Sequence, residues 1–305
     1  MEESSERASL KRAFPGCQIL EGAALGGGLS ANASVWRLEL ADGAQTRVVV
    51  RKPTWQSHAE TVAALKVEQR ALQLALEQGV AVPRAYGVDE EDAELLLEFV
   101  PGAPKFDSPL SSDSIQQLAT ALAGIHGVRA AQHDLSFLPQ RFESVKRKLQ
   151  EPPETLDLDL AEDRIRAALL RGFPSRQENP SALLHGDYWP GNWLWQDSKF
   201  AAAIDWEEAE AGDPLADVAI TRLDVLWAFG EAAMHEFTET YAALTPWSWT
   251  HLPCWDLVAA LRPMSNLERW ATVYPKAPIH RPDIDAAHMR HWHRWFVDRA
   301  LEKLA

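Results

Sequence analysis

The segment Val35-Trp36-Arg37-Leu38-Glu39-Leu40 alternates apolar and polar residues, the two-residue period of a half-buried strand. Thr46-Arg47-Val48-Val49-Val50-Arg51 predicts a second strand, and Asp42-Gly43 between them supplies a hairpin turn. Residues 59–78 then switch to helical spacing through Leu65, Leu72 and Leu76, with Gly79 as the stop. Val80-Ala81-Val82-Pro83 and Ala85-Tyr86-Gly87-Val88 lead to an acidic turn, and residues 94–100 form an apolar strand that ends at Pro101-Gly102. Beyond this point the pattern is mostly helical. Residues 111–126 open on a Ser/Asp cap cluster and carry Leu118, Leu122 and Ile125 at helical spacing. Further helical patterns cover 163–170, 218–241, 255–270 and 283–304, with a Pro- and acid-rich connector at 151–154. The polar start reads equally as frayed or helical.

Two apolar runs are interrupted by polar groups at fixed spacing. Leu183-Leu184 runs into His185-Gly186-Asp187-Tyr188-Trp189-Pro190-Gly191-Asn192, and Phe200-Ala201-Ala202-Ala203-Ile204 runs into Asp205-Trp206-Glu207. Short apolar runs predict buried strands, so the acid, the amide and the second acid emerge from strand ends or tight loops. A carboxylate near a hydroxyl accepts its proton, and an amide oxygen with a second carboxylate makes a hard ligand pair suited to magnesium. Such a set serves phosphoryl transfer.

This stretch, with Gly212-Asp213-Pro214-Leu215-Ala216-Asp217 after it, resembles the catalytic and metal-binding loops of the aminoglycoside phosphotransferase family, a branch of the protein-kinase-like fold. The resemblance runs from Gly26 to about Asp217. It implies an α+β, two-lobed fold: residues 1–100 as a nucleotide-binding lobe of antiparallel strands with one helix, and 101–305 as a mainly helical catalytic and substrate-binding lobe. It implies a phosphotransferase with an alcohol acceptor, using ATP or GTP and magnesium on an antibiotic or metabolite hydroxyl. A non-catalytic nucleotide-binding module, a degenerate kinase, is the alternative, and it predicts loss of Asp187, Asn192 or Asp205, all of which are present. A protein kinase is disfavoured because Asp205 runs to Gly212-Asp213-Pro214 with no room for a regulated activation segment.

The resemblance also assigns residues. Asp187 is the catalytic base, and His185 anchors its loop. Asn192 and Asp205 hold magnesium. The turn with Gly26, Gly27, Gly28 and Ser30 is a flap over the nucleotide phosphates, although Ala31 stands at its third glycine position and a plain flexible hairpin is the alternative. A dinucleotide fingerprint should open a helix and a Walker loop should end in Gly-Lys-Ser/Thr, and this turn meets neither condition. Glu68 pairs with the strand cation, which is Arg51 position for position, or Lys52 if a bulge shifts the register. Glu98 and Val100 offer backbone groups to the purine edge. Tyr188, Trp189 and Glu208 lie nearest the acceptor.

Composition narrows the partners. A net charge of −14 disfavours nucleic acid, and it serves either long-range attraction of a cationic small molecule or plain solubility. Two cysteines in unrelated settings give no disulfide framework, and neither a signal peptide nor a membrane span is legible, so a cytoplasmic location is expected.

Overall fold

The computed structural model describes residues 5–25, 31–53, 57–173 and 179–304. The chain forms two compact units, Met1–Pro101 and Gly102–Ala305.

In the first unit, helix α1 (Ser5–Ala13) precedes strands β1 (Gln18–Leu25), β2 (Ala31–Glu39) and β3 (Gln45–Pro53). Helix α2 (His58–Glu77) and strands β4 (Ala85–Asp89) and β5 (Glu94–Glu98) complete it. The sheet is antiparallel in the order β1-β2-β3-β5-β4. The β2–β3 turn closes at Asp42-Gly43, where the Asp42 carboxylate accepts from the Ala44 amide at 2.9 Å and Gly43 takes φ +83°. The glycine turn Gly26, Gly27, Gly28 and Ser30 lies outside the described residues; the strands flanking it pair antiparallel.

Strand alternation sends β3 side chains to opposite faces. Val48 and Val50 join Leu10 of α1, Trp36, Leu38 and Leu96 in one buried cluster. Lys52 continues that face, and its ammonium reaches Ser5 of α1 at 3.2 Å and Glu94 at 3.3 Å. Arg51 takes the other face. There α2 presents a buried stripe of Leu65, Glu68, Leu72 and Ala75, the i, i+3, i+7 spacing of one helix side.

In the second unit the helices are α3 (Ser112–Ile125), α4 (Arg141–Gln150), α5 (Glu162–Gly172), α6 (Leu215–Phe229), α7 (Glu231–Leu244), α8 (Leu252–Ala260), α9 (Leu267–Ala271) and α10 (Ala286–Leu304). Strands β6 (Ala182–Leu184) and β9 (Glu210–Gly212) pair antiparallel, as do β7 (Trp193–Gln196) and β8 (Lys199–Ala203). Helix α6 is buried from Leu215 to Ala228 and forms the centre of the unit.

Two helical expectations are corrected. Residues 218–241 are α6 and α7, separated at Gly230, whose φ of +89° no continuing helix accepts. Residues 255–270 break after α8 into a turn that includes Pro263, and α9 follows. Helix α4 carries no expectation from the sequence because Val145 and Leu149 are its only buried residues. Among the described residues, no helix is long and apolar enough to cross a membrane.

Candidate active site

The hairpin β7–β8 sets Trp193 opposite Ala203, and one step further the Ile204 amide donates to the Asn192 carbonyl at 3.0 Å. Asn192 and Asp205 therefore stand at one end of the same ribbon. Its two-residue tip, Asp197-Ser198, has both residues at positive φ, as this tightest class of hairpin turn requires. Asp205 itself sits at φ +65°, a left-handed conformation that costs free energy and is held by its surroundings.

The loop after β6 carries Asp187. Asp217 of α6, fully buried, accepts from the amides of His185 (2.6 Å) and Gly186 (3.0 Å). Burial pushes the Asp217 carboxyl up, but the hydrogen bonds from His126 and the loop amides outweigh it and hold it below the ordinary range. His126 donates to Asp217 at 3.3 Å and accepts from the Tyr241 hydroxyl at 2.5 Å, and Trp247 donates to that hydroxyl at 2.9 Å. Gly186 at φ +81° is packed so closely that an added Cβ would collide with the Glu208 carbonyl oxygen. A Cβ on Gly191 would collide with the Trp189 indole. Gly186 is sterically required, whereas a side chain at Gly191 would force the Trp189 indole to move.

His185 is fully buried, and loss of hydration lowers its pKa, so the ring is neutral at physiological pH. Its Nε2–H donates to the Ile204 carbonyl at 3.0 Å, and Nδ1 accepts the Asp187 amide at 3.3 Å. One imidazole thus ties the Asp187 loop to the Asp205 loop.

The Asn192 side chain donates Nδ2–H to the Asp187 carbonyl (3.0 Å) and to the Asp187 carboxylate Oδ2 (3.2 Å). That fixes the amide, and its oxygen takes no hydrogen bond from any described residue. An amide oxygen with no hydrogen bond from a described residue, beside the Asp205 loop, is a hard donor of the kind that would suit magnesium. Among the described residues no group of three His, Cys, Asp or Glu side chains is arranged as a self-sufficient metal cage.

The structure separates the remaining expectations. Arg51 donates to Glu68 at 2.5 Å with both side chains buried, whereas Lys52 is committed to Glu94 and Ser5 on the opposite face. The Glu98 amide is bound by the Arg84 carbonyl at 2.8 Å, and Val100 follows the end of β5 with no backbone hydrogen bond to a described residue. Tyr188 is corrected: it is fully buried and its hydroxyl donates to the Leu118 carbonyl at 3.2 Å, so it anchors the loop in the core and faces no acceptor. Trp189 is half-buried among Phe106 (6.2 Å between rings) and Tyr274 (6.5 Å). Glu208 keeps contact with solvent, while partial loss of hydration around its carboxylate and then the charge of Asp187 raise its pKa.

One partner of Asp187, and the acid behind it, had gone unread. Arg262, in the turn after α8, donates to the Asp187 carboxylate and lies 3.4 Å from the carboxylate of Asp224 on α6. Burial pushes Asp224 up to about 7, with Arg262 opposing and Asp187 adding to the shift. The only sequence signal for Arg262 is a lone cation ending the apolar run Leu257–Leu261 before Pro263.

The sequence model of the phosphotransferase enzyme family (APH) matches residues 22–261, more than three quarters of the chain. The chain belongs to this family. Solved structures share its α+β kinase-like fold at low identity. The apoenzyme of macrolide 2'-phosphotransferase MphH from Brachybacterium faecium is 21% identical with a TM-score of 0.63, over 93% of this chain and 96% of that one. Choline kinase LicA from Streptococcus pneumoniae is 17% identical with a TM-score of 0.57, over 98% and 97%. Amicoumacin kinase hAmiN, in complex with AMP-PNP, Ca2+ and Ami, is 13% identical with a TM-score of 0.60, over 97% and 94%. Comparison with the curated protein sequences gives no match. As a member of the phosphotransferase family the protein is an enzyme that transfers phosphoryl groups.

Proposed function

We propose that the protein is a magnesium-dependent small-molecule kinase that moves the terminal phosphoryl group of ATP, or of GTP, to a hydroxyl of an antibiotic or a hydroxylated metabolite. The observation that supports this reading is the Asn192 amide, which clamps Asp187 through its nitrogen and leaves its oxygen without a hydrogen bond from a described residue. Asp187 orients the acceptor hydroxyl and accepts its proton late, since positioning contributes more than base strength in a loose transition state. Asn192 and Asp205 would hold magnesium, which when bound neutralises charge on the phosphate oxygens. In the first unit Arg51, aligned by Glu68, grips the phosphates, and the backbone of Glu98 and Val100 meets the base. The glycine turn with Gly26, Gly27, Gly28 and Ser30 covers the phosphates in this reading. Trp189 and Glu208 flank the acceptor. Their aromatic face and negative charge favour a ring or an amine.

The nucleotide-bound amicoumacin kinase supports a nucleotide donor here, and macrolides, aminoglycosides and amino alcohols define the first acceptors to try. Purified protein with ATP or GTP and magnesium should release nucleoside diphosphate in response to one of these acceptors, and mass spectrometry should find the phosphorylated product. Asp187→Asn should lower turnover by on the order of 10² or more, the scale of a lost general base. Equal turnover in that variant, or tight nucleotide binding with no transfer to any acceptor tried, counts against the reading.

A further inference from the structure

Asp187 has two carboxylate oxygens and each is already held. Oδ2 accepts from Asn192 at 3.2 Å, and Oδ1 accepts from Nη2 of Arg262, a residue 75 positions further along the chain. A carboxylate offers about four acceptor sites, so one on each oxygen stays open to a hydroxyl. Arg262 therefore fixes the plane of the carboxylate without filling it.

The guanidinium is itself held from behind. Nη1 lies 3.4 Å from Asp224, and the group stands 5.6 Å over the ring of Trp270. Its backbone amide donates to Ala259 at 3.0 Å, and Lys148 of α4 donates to the neighbouring Leu261 carbonyl at 3.1 Å. Helix α8, which delivers the turn, is locked to α6 by the paired hydrogen bonds of Arg222 to Asp256, 3.0 and 3.1 Å. A surface arginine that meets a carboxylate by chance has no such frame, because exposed pairs give up side-chain freedom for little gain. Arg262 also stands one residue past the segment that the family model matches.

We infer that Arg262 is a positioning residue for the phosphotransfer step: it aims the Asp187 carboxylate through Oδ1 while Asn192 aims it through Oδ2, and Asp224 holds the guanidinium in place. The inference rests on Asp187 acting as the base. Small misplacement of a reacting group costs up to about a hundredfold in rate. Arg262→Ala should therefore lower turnover by roughly ten- to a hundredfold with the KM for nucleotide nearly unchanged. Arg262→Lys should recover part of the loss. Millimolar guanidinium chloride, far below denaturing levels, should raise the activity of Arg262→Ala and leave wild type unaffected. Turnover is read on the best acceptor and on hydrolysis of ATP to water, which needs no acceptor. The crystal structure of Arg262→Ala should show the Asp187 side chain turned from its wild-type rotamer.

Unchanged or increased turnover in Arg262→Ala, or an unmoved Asp187 in its crystal structure, overturns the inference; an increase would mean that Arg262 plugs the site. Loss of turnover that neither lysine nor guanidinium relieves, together with a lowered Tm, assigns Arg262 to folding alone and also overturns it. Asp187→Asn is measured beside it. An inactive Asp187→Asn with a fully active Arg262→Ala defeats only this inference, whereas an active Asp187→Asn defeats the base assignment.

Discussion

His185 donates its Nε2 proton to the carbonyl of Ile204 at 3.0 Å, one residue before Asp205, and takes the amide of Asp187 on its other nitrogen. The two loops of the site therefore share a neutral, buried ring packed against Trp206, with centroids 4.7 Å apart. A buried donor or acceptor left without its partner costs about 1–3 kcal/mol.

His185→Phe keeps the ring and removes both hydrogen bonds. It should lower stability on that scale and reduce turnover, with the Tm shift measured alongside kcat. Acid adds a second readout. The folded pKa of His185 is depressed, so below the ordinary histidine range the unfolded chain binds a proton that the native chain refuses. This contribution to stability is present at neutral pH and is lost as pH falls below about 6.5. The phenylalanine variant should lose less Tm than wild type between pH 7 and about pH 5.5. An identical acid slope in both proteins would place the titration elsewhere.

The facing of β3 separates Arg51 from Lys52. Arg51→Ala strands Glu68, which is only 3% exposed, and breaking a buried pair from one side costs about 3–5 kcal/mol. Nucleotide affinity by calorimetry should fall together with Tm. Lys52→Ala loosens α1 through Glu94 and Ser5 and should leave nucleotide affinity nearly intact. The reverse order of affinities would assign the phosphates to Lys52.

Asp205→Ala should abolish the magnesium dependence of nucleotide affinity, because Asn192 alone offers a single neutral oxygen. Titrations of the variant with and without magnesium should coincide. A wild-type metal effect in the variant would transfer the ligand role to another acid.

The strands and α2 were legible because apolar periodicity is local, and the loops of Asp187 and Asp205 were legible because their spacing lies within one short stretch. What escaped depends on distance or on side-chain direction. No local pattern links Arg262 to Asp187 across the chain, or tells that Asp217 caps the loop amides of His185 and Gly186. Loops have no period, so the inward turn of Tyr188 could not be read from its neighbours. The apolar run through Gly230 looked continuous because α6 is buried on every side, which hides the helix period that would mark its end.

Glu208 supplies the test of acceptor charge. Its backbone carbonyl packs against Gly186, which pins the 206–208 segment over the Asp187 loop, and its carboxylate feels the charge of Asp187. Trp189, with Phe106 and Tyr274 behind it, offers an aromatic face in the same loop. An acceptor amine near Glu208 gains Coulomb attraction, about 0–1 kcal/mol for an exposed pair, or up to roughly fivefold in KM. Glu208→Gln should raise the KM of a cationic acceptor by that factor at low salt, and the gap should close at high salt as charges are screened. Because its pKa is raised, Glu208 takes up its proton above the ordinary glutamate range on acidification. The wild-type KM for a cationic acceptor should therefore climb in mild acid, and the glutamine variant should not follow it. Steady-state kinetics at two salt concentrations and two pH values decide the matter. Equal KM values for both proteins under all four conditions would mean that Glu208 faces solvent and that the acceptor is recognised through Trp189 and its aromatic neighbours instead.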